Sequence, residues 1–121
     1  MTAQEAITRA DALKPNAVPE AEKLRWLASL EGQIKNEIVD THEGWDVPLT
    51  AGEQISPDDA LFVPSPYDEV YVFWIMAKID FTNGEFESFG NSKALFNSTF
   101  SAYAEHVNRT MTPKSTAVKY G

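Results

Sequence analysis

Apolar side chains recur at helical spacing over most of this chain, and one stretch of about twenty residues interrupts them. Thr2 to about Leu13 reads as a short helix. It is closed by Lys14-Pro15-Asn16, because the residue before a proline is pushed away from helical angles. A second helix starts at Pro19, which a first helical position tolerates, with Glu20 and Glu22 where the helix dipole favours negative charge. Leu24, Leu27, Ile34 and Ile38, with Leu30 beside them, line one face as far as about Thr41, and Arg25, Glu31, Lys35 and Glu37 read as decoration on the remainder. Trp26 falls off that stripe and is expected at the rim of the core.

Tyr67 to Asn83 is the most apolar segment. Its β-branched and aromatic residues would suit a strand, but its length suits a helix, with Pro66, Asp68 and Glu69 at its start and Asn83-Gly84 at its stop. A helix apolar around most of its circumference is a central helix. Phe86, Phe89, Phe96, Phe100, Tyr103 and Val107 then keep to steps of three, four or seven, and this stripe should pack antiparallel to the preceding helix. Phe86, Phe96, Phe100, Tyr103, Phe73 and Trp74 are expected in the core, where Phe100→Ala should cost about 3–5 kcal/mol. The pattern therefore predicts an all-α fold, a small bundle of three to four helices. Residues 1–108 form the helical domain, residues 44–66 a long loop within it, and residues 109–121 an extended basic tail.

The loop holds Gly44, Pro48, Gly52, Pro57, Pro64 and Pro66, yet it also carries Trp45, Leu49, Ile55, Leu61, Phe62 and Val63. That is more apolar surface than a solvated linker keeps, so these side chains either tuck onto the chain's own core or bury against a neighbouring subunit.

Composition then narrows the function. With 121 residues, no cysteine, 43% hydrophobic residues and a net charge of -8, the chain is too apolar for a disordered acidic segment and too acidic for a phosphate-gripping protein. The charge is uneven: residues 1–60 hold five basic and twelve acidic groups, residues 61–121 hold five and six, and the last thirteen carry only basic ones. The N-terminal segment lacks the basic and apolar regions of a signal peptide, and the longest apolar run, Val70 to Ala77, is far short of a membrane span, so an intracellular origin is expected.

Chemistry is sparse. Asp40-Thr41-His42-Glu43-Gly44-Trp45-Asp46 superficially offers metal ligands, but Gly44 falls where the helical pattern ends and spoils the spacing on one helix face. Asp80 to Glu85 resembles the start of a calcium loop, with its glycine one position early and Asn91 where a bidentate glutamate is required. No nucleophile or phosphate-binding motif is present, so no catalytic residue, cofactor or metal is expected, and the chain reads as a non-enzyme. The Phe86 to Tyr103 stripe is spaced as a core face rather than as a base-stacking platform.

Three stretches together resemble a known family. They are Leu13-Lys14-Pro15-Asn16 with Glu22 to Leu27, Glu37-Ile38 and Thr41-His42-Glu43; Val63-Pro64-Ser65-Pro66-Tyr67-Asp68-Glu69-Val70-Tyr71; and Asp80 to Phe86, followed by Asn91-Ser92, Phe96-Asn97, Asn108-Arg109-Thr110 and Pro113-Lys114. They are similar to small helical proteins encoded near the capsid genes of tailed bacteriophages, the head-tail connector or adaptor proteins. That resemblance implies a virion structural protein, made in the host cytoplasm, whose subunits form a ring, usually of twelve, beneath the portal. Its implied partners are further copies of itself, the portal protein and a head-closure or tail protein, with DNA only in transit and no membrane. On that reading Trp45, Leu49, Ile55, Leu61 and Phe62 lie between subunits, while Arg109, Lys114, Lys119 and Tyr120 dock on portal carboxylates. The alternatives are another virion component, such as a head decoration, stopper or tail-completion protein, and a small acidic regulatory protein that mimics DNA.

Overall fold

The computed structural model describes residues 1–44 and 54–113; Trp45 and Leu49, like Lys114, Lys119 and Tyr120, lie outside them. The described chain is all-α. Helices α1 (Ala3–Leu13), α2 (Glu20–Ile34), α3 (Glu69–Thr82) and α4 (Phe86–Thr110) account for its regular structure, and α2 runs on into a π-helical turn, Lys35–Val39. No strand occurs among the described residues, only the isolated bridges Thr2 to Ala60 and His42 to Pro113.

Each boundary has a local cause. Thr2 and Glu5 form a reciprocal capping box at the start of α1, with the Glu5 amide donating to Thr2 Oγ1 at 3.2 Å and the Thr2 amide to Glu5 Oε1 at 2.7 Å. The Thr2 amide, and after it the Thr2 hydroxyl, hold the exposed Glu5 carboxyl below its ordinary range. The Lys14-Pro15-Asn16 break is stitched by its own side chains. Asn16 Nδ2 donates to Asp11 Oδ1 and to the Lys14 carbonyl, and the Val18 amide donates to Asn16 Oδ1. Pro19 is the N-cap of α2, one position ahead of its expected place inside the helix. At the end of α3, Gly84 has φ +74°, and the Glu85 and Gly84 amides return to the Asp80 and Phe81 carbonyls at 2.9 and 3.1 Å. That Schellman pattern needs a left-handed residue at this point, and glycine takes it without a Cβ penalty.

Helix α3 is central, as its all-round apolar sequence predicts. It packs on α1, α2 and α4, and α4 lies along it as an antiparallel hairpin. Leu27, Leu30, Ile34 and Ile38 meet Val70, Val72, Ile75 and Ile79 in one core, closed on the other side by Phe96, Tyr103 and Val107. Trp26 lies half-buried at the rim, where its carbonyl accepts a 2.8 Å bond from Trp74 Nε1.

Three expectations change. Phe86 is 65% exposed: at the first position of α4 and ten residues before the buried Phe96, it stands roughly 80° around the helix from it. Phe73, Trp74 and Phe100 pack against the core but are only partly buried. Finally, α4 continues through Arg109 and Thr110, and residues 111–113 run back beside residues 42–43, so the boundary expected after Asn108 falls inside a helix.

Residues 54–66 belong to the body of the protein. The Ala3 and Gln4 amides donate to the Asp59 and Pro57 carbonyls, and the Leu61 amide donates to the Met1 carbonyl at 2.9 Å. This backbone pairing holds Ile55, Leu61 and Val63 in the core. Ile55 and Leu61 retain 6% and 7% of their surface, so the burial assigned to a neighbouring subunit is already made within the chain.

Candidate functional site

Besides Lys23, which pairs with Asp11 at 2.8 Å between α1 and α2, the polar side chains that enter the core form three joints, each linking segments far apart in sequence. Glu31 falls on the Leu27–Ile34 row of α2, not on the solvent face expected for it, and is buried. Its Oε1 accepts a 2.6 Å bond from Tyr71 Oη and its Oε2 a 3.0 Å bond from the Phe62 amide, while Tyr71 Oη accepts from the Val63 amide at 2.8 Å. One carboxylate thus fixes the loop to α2 and α3 together. Burial pushes the Glu31 carboxyl above its usual range, and the bonds from Tyr71 and Phe62 oppose that rise. Burial and then the Glu31 charge push the Tyr71 phenol up; the same two causes push Tyr103 up to about 12.

The second joint surrounds Asp80, wholly buried in the apolar run of α3. Ser92 Oγ donates to Asp80 Oδ2 at 2.7 Å, and Lys14 Nζ stands 3.2 Å from Asp80 Oδ1, an ion pair without hydrogen-bond alignment. The hairpin is therefore tied to itself and to the end of α1. The third joint is His42, whose Nδ1 lies 2.9 Å from the Ile38 carbonyl and whose Nε2 lies 2.7 Å from Asn108 Oδ1. The Glu43 amide donates to the Thr112 carbonyl at 2.8 Å beside it. The Asp40–Asp46 stretch read for metal ligands is thus, as far as it is described, a structural clasp, and the described residues hold no group of three His, Cys, Asp or Glu fit for a metal ion.

An exposed aromatic patch covers the end of the α3–α4 hairpin. Phe81 is 59% exposed, its ring 5.9 Å from that of Phe86 and 5.6 Å from that of Phe89. Next to it, a groove of about 200 Å³ is lined by Trp74, Ala77, Lys78, Phe81, Phe89 and Lys93. Lys78 Nζ sits 4.8 Å above the Trp74 ring and Lys93 Nζ 5.7 Å above that of Phe96. Sequence periodicity placed Phe86 and Phe89 on a buried stripe and left Phe81 in the apolar run that precedes the turn.

Of the expected docking residues, Arg109 is exposed in the last turn of α4, 4.0 Å from Glu105 Oε2. Phe62 packs partly buried against the core, its amide on Glu31. No helix among the described residues is long and apolar enough to cross a membrane. The chain matches no family profile, and no curated protein or solved structure matches it.

Proposed function

We propose that this chain is a structural protein of a tailed bacteriophage virion, a head-tail connector that assembles as a ring below the portal and extends the DNA channel. The observation that supports this reading is the convergence of the three sequence stretches that resemble the connector family. Lys14 of the first meets Asp80 of the third, which Ser92 of the same stretch also holds, His42 of the first meets Asn108 of the third, and Tyr71 of the second anchors the loop through Glu31. Residues in all three stretches thus make the polar contacts that set how the helices and the loop sit, which is what a shared scaffold would retain.

On this reading the acidic body repels DNA in transit, and Arg109, Lys114, Lys119 and Tyr120 carry the cationic docking strand. Portal docking is tested by mass determination of the purified chain alone and mixed with portal. Assembly of a multi-subunit complex on the portal is expected, and its loss when residues 114–121 are deleted, a cut that leaves the His42–Asn108 clasp intact. A chain that stays monomeric with portal and is absent from virions overturns the reading.

A further inference from the structure

In a chain of net charge -8, every described arginine and lysine but two pairs with a carboxylate. The two are Lys78 of α3 and Lys93 of α4, which lie against aromatic rings, and they border one groove, that of about 200 Å³ between the two helices. Its α3 wall is Trp74, Ala77, Lys78 and Phe81, at steps of three and one along a single helix face, and its α4 wall is Phe89 and Lys93, four apart. Ala77 stands between two large rings in the α3 row, and its small side chain is what leaves the notch open. The groove is thus an apolar notch with one ammonium group on each wall.

Those dimensions and charges select an occupant. A notch of this size falls below the roughly 300–1,000 Å³ of a cofactor pocket, so it takes a single bulky side chain. Two ammonium groups without a carboxylate select for acids on either side of that side chain, since interfaces set positive against negative and like charges there are costly. A nucleic acid strand fits less well. Trp74, the largest ring, already has Lys78 Nζ over it at 4.8 Å and the Phe96 ring beside it at 4.9 Å, and two cations make a short track for a polyanion on an acidic body. We propose that the α3–α4 groove docks an acidic segment of a partner protein, in which one bulky apolar side chain is flanked by carboxylates. The side chain enters the notch over Ala77 and covers the exposed ring of Phe81, while the carboxylates pair with Lys78 and Lys93. None of the residues assigned to portal docking takes part, so the proposal stands apart from the connector reading.

The probe is a fluorescein-labelled peptide, Gly-Ser-Asp-Asp-Phe-Asp-Asp-Ser-Gly, titrated with the full chain by fluorescence anisotropy at about 0.15 M salt, where the distant charges of the body are screened. Binding is expected to saturate below about 1 mM. Lys78→Glu with Lys93→Glu weakens it about tenfold or more, and so does Phe81→Ser, while the thermal midpoint, set by the core, holds. If the glutamate pair lowers that midpoint, Lys78→Gln with Lys93→Gln, which keeps more of each stem's contact, reads the same loss. Serine in place of the peptide's phenylalanine, or asparagine in place of its aspartates, weakens binding to a similar extent. A chain that fails to bind the peptide at about 1 mM overturns the proposal. So do serine or asparagine peptides that bind as well as the parent, and lysine variants that bind as well as the wild type. Tighter binding of an oligothymidine or of phosphatidylglycerol vesicles, lost in the same lysine variants, also overturns it and gives the groove to a nucleic acid or a membrane. Deleting residues 114–121 is expected to leave peptide affinity unchanged, which separates this result from that of the portal experiment.

Discussion

Glu31 carries a charge into the apolar row of α2, and its surroundings make that tolerable at neutral pH only because two donors, Tyr71 Oη and the Phe62 amide, share its oxygens. A buried carboxyl whose native pKa is raised holds its proton more tightly in the folded than in the unfolded chain. Between the ordinary value of 4.5 and the raised native value, the contribution of Glu31 to stability therefore falls as pH rises. Glu31→Gln should flatten the fall in unfolding free energy across that window. At neutral pH it should cost about 1–3 kcal/mol, because its amide turns a donor toward a donor. Urea denaturation of both proteins at several pH values checks the slope and the offset. The apolar row was legible in the sequence, but Glu31, four residues after Leu27 and three before Ile34, was assigned to the solvent face for its charge. Its partners were not legible, because the acceptors and donors that admit a charge come from residues 62, 63 and 71, which no local pattern joins to it.

At the level of elements, helical periodicity located α1 to α4 closely, since each carries either a single apolar face or, in α3, an apolar circumference. It could not say where along α4 the core ends. Phe86 and Phe96, ten residues apart, stand roughly 80° apart around the helix and differ in burial. Phe96→Ala should cost about 3–5 kcal/mol, whereas Phe86→Ala should leave stability within about 0.5 kcal/mol, both read from chemical denaturation midpoints. Phe100, expected to be core, should fall between them, because it packs against the core with part of its ring in solvent. The π turn at Lys35–Val39 was likewise not legible. The Asp40 amide reaches back five residues to the Lys35 carbonyl at 2.8 Å, a choice decided by where His42 must arrive rather than by the propensities of Lys-Asn-Glu-Ile-Val.

In the whole molecule, buried charge and exposed apolar surface are distributed in opposite senses. The acidic body keeps most of its cations in ion pairs, and the buried carboxylates Glu31 and Asp80 join distant segments. The hairpin tip leaves rings and lysines open. Sequence reading captured the fold class and the uneven charge, and it assigned the apolar loop to two possible destinations. The structure gives residues 55, 61 and 63 to the chain's own core. Candidate sites were harder to read, because exposure at Phe81 and lack of an ion pair at Lys78 and Lys93 are properties of the assembled helices.

The clasp between His42 and Asn108 also fixes an order of events in time. Its two residues lie 66 apart in sequence, and Asn108 is near the end of the last helix, so closing it requires that the rest of the chain has first been gathered. Helical proteins dominated by local contacts fold fast, and this contact is among the least local that the chain makes. It should therefore be absent from the folding transition state. His42→Ala then leaves the refolding rate nearly unchanged and speeds unfolding, and the two arms of a chevron plot measure that asymmetry directly.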